Sequence, residues 1–127
     1  MAEDQARKLL VEAGVLPETM RESVTFNKVR EILRELDNSD QGRLRTAIET
    51  AGRLGIRGPL QSVIFIKHHL AGEHEVEVDR IDESEDGARL AILIYPEGEM
   101  PISVESLPTQ IDVGNRLSYD PSEGRYS

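Results

Sequence analysis

The chain has no cysteine and no tryptophan, and among its 127 residues only two are Phe and three are Tyr. Without Cys there is no disulfide framework, no thiolate metal site and no cysteine nucleophile, and a reducing compartment is compatible with the sequence. With so few aromatics the core must be aliphatic, drawn from Leu, Ile, Val and Ala. No apolar run approaches the ~20 residues that a membrane helix needs. Met1 to Gln5 carries no basic region leading into an apolar stretch, so no secretory signal is read there. A glycine-rich phosphate loop and a G-x-S-x-G nucleophile turn are also missing. The expectation is a soluble, cytoplasmic protein with no membrane partner.

What is present is lopsided charge. Residues 1–70 carry 11 Lys+Arg against 10 Asp+Glu, a net of +1. Residues 71–127 carry 4 against 14, a net of −10, and together they give the total of −9. Arg outnumbers Lys by 12 to 3, as a GC-rich prokaryotic or phage genome encodes.

The apolar period changes near the same boundary. Ala6, Leu9, Leu10 and Ala13 predict a helix over 3–13, with Glu3 and Asp4 at its positive end and Gly14 beyond it. Val29, Ile32, Leu33 and Leu36 predict a second over 26–37, capped by Ser23 or Thr25. Leu44, Ala47, Ile48, Ala51 and Leu54 predict a third over 40–54. Gly58-Pro59 opens a fourth element, favoured as a helix over 59–70, although Val63 to Ile66 would also suit a buried strand.

From His74 the period becomes two. Val76 and Val78 alternate with acids, Asp86-Gly87 marks a hairpin, and Ala88 to Tyr95 is apolar on both faces, as in a central strand. Pro96-Glu97-Gly98 reads as a turn, Met100 to Val104 as a third strand, and 111–113 and 116–119 as short closing strands. The predicted fold class is α+β: a helical segment over 1–72 with three or four helices, then a small antiparallel β-barrel or curled sheet over 73–120, and a frayed tail over 121–127. The helical segment would support the barrel or mediate association with a second copy.

Val78-Asp79-Arg80-Ile81, the strand Ala91-Ile92-Leu93, Val104, Leu107-Pro108, Gly114 and Leu117 together resemble a small, uncharacterised bacterial domain family. The resemblance covers residues 75–120. It implies a compact β-barrel without assigned catalytic residues, and the helical 1–70 segment has no counterpart in that family.

Four residue sets invite a functional reading. His68, His69 and His74, with Glu73 and Glu75 nearby, are residue types that bind zinc, but the adjacent imidazoles point apart on any regular element. A solvated connector is the expectation, with no metal and no cofactor. Asp82 to Gly87 opens like a calcium loop, yet the position for the bidentate Glu is Leu93, so a plain hairpin turn is expected. Arg43, Arg45, Arg53 and Arg57 surround a potential helix-turn-helix at 55–58. The next helix, however, would present apolar residues where base readers belong, and the acidic half disfavours direct nucleic-acid binding.

The fourth set is Glu73, Glu75, Glu77 and Asp79 along one strand face, then Asp82, Glu83, Glu85 and Asp86 at the adjoining turn. These eight carboxylates fall within 14 residues with Arg80 as the one cation among them. Such a surface speeds encounter with basic partners and repels acidic ones. Acids on exposed strand faces and turns are not the desolvated pair that acid–base catalysis needs. The expected function is therefore non-catalytic: regulation or inhibition of a basic protein or nucleoprotein, with the carboxylates in place of nucleic-acid phosphates. A nucleic-acid regulator using the four arginines is the alternative, and a small metal-dependent enzyme at the histidines a further one.

Overall fold

Each of the last three helices begins where the local chemistry supplies a start signal. Ser23 caps α2 (Val24–Leu36), its hydroxyl accepting from the Phe26 amide at 3.0 Å. Asp40 caps α3 (Gln41–Arg53) by accepting from the Arg43 amide at 3.1 Å. Pro59 sits in the first turn of α4 (Pro59–Ala71), where its missing N–H leaves no bond unmade. The computed structural model describes residues 5–108 and 111–127, and α1 runs Gln5–Glu12. Glu3 and Asp4, expected at the positive end of α1, lie outside the described residues. There the Asp37 carboxylate accepts from the Ala6 amide at 2.9 Å, tying α1 to the end of α2.

The fourth element is a helix, and its composition explains the strand-like look of its sequence. Val63, Ile64, Phe65 and Ile66 are all fully buried, because α4 packs against α2, α3 and the sheet at once. A helix apolar on every side belongs in the centre of a fold. Gly72 ends it at φ 114, a conformation that L side chains rarely adopt.

Five antiparallel strands follow: β1 (His74–Glu83), β2 (Arg89–Tyr95), β3 (Gly98–Ser103), β4 (Arg116–Asp120) and β5 (Arg125–Tyr126). They form one curled half-barrel in the order β3-β2-β1-β4-β5. The expected α+β class with N-terminal helices is what is found, the sheet being curled and open rather than closed. One continuous core joins both halves, from Leu10 and Leu44 through Ile64 to Val78 and Met100.

Four details correct the expectations. β1, not β2, is the middle strand. A one-residue bulge at Asp79 shifts register between Val78↔Leu93 and Arg80↔Ile92, reversing the inward–outward alternation. Residues 111–113 form no strand: Asp112 and Asn115 close a tight turn, the Asp112 amide donating to the Asn115 side chain at 2.8 Å. The tail is not frayed. Ser118 and Ser127 exchange backbone bonds of 2.9 and 2.8 Å, and Tyr126 is 2% exposed. Its two-residue strand is too short to show a period, and its burial depends on partners distant in sequence.

Both sheet edges are blunt: β3 carries Pro101, which has no amide hydrogen, and β5 has only two residues. Gly124, between β4 and β5, lies against α3. A Cβ there would stand 2.5 Å from the Arg53 guanidinium and 3.1 Å from the Thr50 methyl. Arg53 donates to the Gly124 carbonyl, pinning the tail to the helical half.

Candidate functional site

The two faces of the sheet differ because helices cover only one. His74, Val76, Val78, Leu93, Met100 and Tyr119 share the inner face toward α4. The register places Glu75, Glu77, Arg80 and Asp82 of β1 on the outer face. Beside them stand Ile92 and Ile94 of β2, Glu99 of β3 and Arg116 of β4. Ile94 is 40% exposed, with Glu77 opposite it on one side and Glu99 on the other. Glu75, Glu77, Ile94 and Arg116 also line a shallow hollow of about 240 Å³.

Arg80 organises half of this face. Its guanidinium reaches Glu99 at 2.7 and 3.1 Å, Asp79 at 2.9 Å and Asp82 at 3.2 Å. To pass from β1 to Glu99 on β3 it must cross β2 on the outer side. That crossing accounts for Ile92, which faces away from the core yet is only 4% exposed. Hydrogen bonds from Arg80 hold Glu99 below the usual carboxylate range, and those carboxylates keep the guanidinium firmly charged.

The eight expected carboxylates therefore divide. Glu75, Glu77 and Asp82 share the outer face, with Asp79 at the bulge. Asp82 and Glu83 belong to β1 rather than to the turn, since the hairpin loop is 84–88. Glu83, Glu85 and Asp86 gather at the hairpin tip, and Glu73 precedes the strand at its other end. Ten residues of strand separate these ends by roughly 33 Å, at about 3.3 Å per residue. At the tip, a hydrogen bond from the Ser84 hydroxyl, then the Ala88 amide, lowers the Asp86 pKa. Glu75 faces Arg116 at 3.7 Å, but both are well exposed and the pair is weak.

The four arginines of the alternative reading do not converge. Arg43 donates to the Leu70 carbonyl at 2.8 Å, closing the end of α4, and Arg53 is engaged by Gly124. Arg45 borders a hollow with Leu9, Glu12 and Ile48, two positions from Arg43 and so on another side of α3. Arg57 is exposed in the link to α4. The helix that would read bases is α4, the buried centre of the fold.

The histidines are not a solvated connector. His68 Nε2 meets Glu97 Oε1 at 2.7 Å, and Lys67 meets the other Glu97 oxygen at 2.7 Å and Glu35 at 3.1 Å. Burial pushes the Glu97 pKa up, but hydrogen bonds from Lys67 and His68 outweigh it and hold the group below its usual range. His69 Nδ1 lies 2.5 Å from the Tyr119 hydroxyl. His74 Nδ1 lies 2.9 Å from the Gly72 carbonyl and its Nε2 2.7 Å from the Tyr95 hydroxyl, which in turn meets Tyr126 at 2.7 Å. Each imidazole serves a different partner. Among the described residues no three His, Asp or Glu side chains are placed to hold a metal ion.

All three histidines and all three tyrosines thus form one cluster beneath α4, which the sequence reading missed. Its signal was present: Tyr95, Tyr119 and Tyr126 are scarce residues, and two of them share the inward parity of their strands. No described helix is long and apolar enough to cross a membrane. Comparison of the chain with family models, curated proteins and solved structures yields no match.

Proposed function

We propose that this is a non-catalytic acidic binding protein that regulates or inhibits a basic macromolecule through the outer face of its sheet. The observation that carries this reading is the arrangement around Ile94, an exposed apolar residue flanked across two strands by Glu77 and Glu99. An apolar centre with a charged rim is how interfaces are built. Glu75 and Glu77 repeat along β1 at about 6.7 Å, twice the strand rise, giving a pair of anionic groups spaced along one face. A cationic groove that holds nucleic-acid phosphates would accept such a pair. The hairpin tip with Glu83, Glu85 and Asp86 extends the field and speeds encounter.

The test is a titration of isotope-labelled protein with a synthetic Leu/Lys/Arg amphipathic peptide, followed by NMR. The expected amide shifts centre on Glu75, Glu77, Ile94 and Glu99, and binding weakens as salt rises. The double reversal Glu75→Lys/Glu77→Lys lowers affinity by roughly tenfold or more, while Arg57→Glu has little effect. Shifts confined to the hairpin tip or to the helices would refute the assignment.

A further inference from the structure

We propose that His69 and His74, with Tyr95, Tyr119 and Tyr126, form a proton-operated latch that fastens the β4–β5 hairpin beneath α4 at neutral pH and releases it on mild acidification.

The polarity of the hydrogen bonds carries the argument. The Gly72 carbonyl can only accept, so His74 Nδ1 carries the hydrogen. A neutral ring then leaves Nε2 as an acceptor, and Tyr95 O–H must donate to it. The Tyr95 oxygen is thereby free to accept from Tyr126. The chain runs in one direction, from Tyr126 through Tyr95 and His74 to Gly72, and no buried side-chain polar atom among the described residues lacks a partner.

A proton added to His74 Nε2 reverses this order. The Tyr95 hydroxyl must then turn away from His74, and either it donates to Tyr126, whose own hydrogen loses its acceptor, or its own hydrogen is left unpaired, in both cases in a buried site. The added charge is also poorly received. Facing His74 are His68 of α4, 5.6 Å away between ring centres, and Tyr95 and Tyr119 of the sheet. Facing His69 are Arg43 of α3, His74 of β1 and Tyr119 of β4. Arg53 and Asp120 lie beside Tyr119, and Glu97 near Tyr95 is held by Lys67 and His68.

Among the described residues no carboxylate pairs with His69 or His74. Burial is the main influence lowering both pKa values; at His74 it outweighs the Gly72 carbonyl, which favours the cation, while Arg43 at His69 and His68 at His74 push the same way as burial. The stacking of Tyr119 on His74 at 5.2 Å favours a cation modestly but does not replace the lost hydration.

The hairpin is the part that gives way because both histidines fasten its tyrosines, and its other holds, the pairing of β4 with β1 over four residues and the Arg53 bond to Gly124, are few. Tyr119 of β4 is fastened by His69, and Tyr126 of β5 by His74 through Tyr95. β5 contributes only two residues of ladder. Because both folded pKa values lie below the ordinary 6.5, the closed form is fully favoured above that pH and weakens as pH falls beneath it. Uptake of two protons steepens opening by up to about a hundredfold per pH unit.

The chain supplies its own reporter. It has no Trp, and every Tyr lies in the cluster, so the tyrosine band of near-UV circular dichroism reads the latch alone. Between about pH 7.5 and pH 5 that band should collapse, and amide exchange at 117–126 should accelerate, while the far-UV helical signal persists. The variant His69→Gln/His74→Gln should keep its tyrosine band unchanged over the same range. A wild-type band that holds until the carboxylates titrate overturns the proposal, as does a variant with the wild-type response. If the variant fails to fold, NMR of the wild type decides: loss of amide protection at 117–126 in step with the His69 and His74 titrations supports the latch, and protection that outlasts those titrations refutes it.

Discussion

Replacing Gly124 by alanine should reveal how firmly the C-terminal strand is bound to the helices, and Gly87→Ala is its natural control. Both glycines have positive φ, 65° and 85°, so each alanine meets a backbone penalty of about 1–2 kcal/mol. They differ in surroundings. Nothing lies within 4 Å of a Cβ at Gly87, whereas one at Gly124 intrudes on Arg53 and Thr50. The guanidinium is flexible and can withdraw, but only by giving up its bond to the Gly124 carbonyl. A charged hydrogen bond contributes about 1.5–3 kcal/mol when buried. Partial exposure reduces that here to about 1–2 kcal/mol.

Gly124→Ala should therefore lower stability by about 2–4 kcal/mol and Gly87→Ala by about 1–2 kcal/mol. In a double-mutant cycle, Gly124→Ala in an Arg53→Ala background should cost only the backbone penalty and the remaining crowding by Thr50, leaving a coupling of about 1–2 kcal/mol. Urea denaturation followed by far-UV circular dichroism measures all four proteins. Equal losses for the two alanines, or additivity with Arg53→Ala, would show that the contact between tail and helix contributes nothing.

Phe65 is fully buried and meets Tyr119 edge-on at 5.3 Å, so Phe65→Ala should destabilise by about 3–5 kcal/mol in the same denaturation assay. Deleting Asp79 removes the bulge but leaves Arg80 opposite Ile92, preserving every inward and outward assignment. The deletion should fold with a loss within about 1 kcal/mol, whereas deleting Ile81 turns Asp82 inward and should cost several times that, again by denaturation. Glu97 and Glu99 have folded pKa values below their ordinary 4.5, so the stability they supply is present above that pH and lost as it falls through the folded values. Denaturation across pH should therefore show a second acid loss, distinct from the histidine one, that Glu97→Gln diminishes.

Local chemistry made much of the fold readable. The caps at Ser23 and Asp40, the spacing of Val29 to Leu36 and of Leu44 to Leu54, and the change of period at His74 each depend on residues within one turn or one hairpin. Helix α4 was legible only in part, because a helix buried all round has no amphipathic signature and the stop at Ala71-Gly72 tipped the reading toward a helix. The Asp79 bulge left no mark, since an extra residue in a strand is defined by its partner on β2. The tyrosine–histidine cluster escaped for the same reason, with Tyr126 meeting Tyr95 across 31 positions of chain. The acidic run was plain as composition. Its division between sheet face and hairpin tip, and the hold of Arg80 on Glu99, depended on a register that no single segment encodes.

The blunt margins of the sheet bear on how this chain behaves when crowded. A ladder can lengthen by capturing another chain only if its outermost strand offers a continuous row of free amides. Pro101 interrupts that row on one side and brevity ends it on the other. Addition of a further strand at β3 or at β5 is thus disfavoured, and a second chain seeking a ladder would have to use the length of β1 that runs past its pairing with β4.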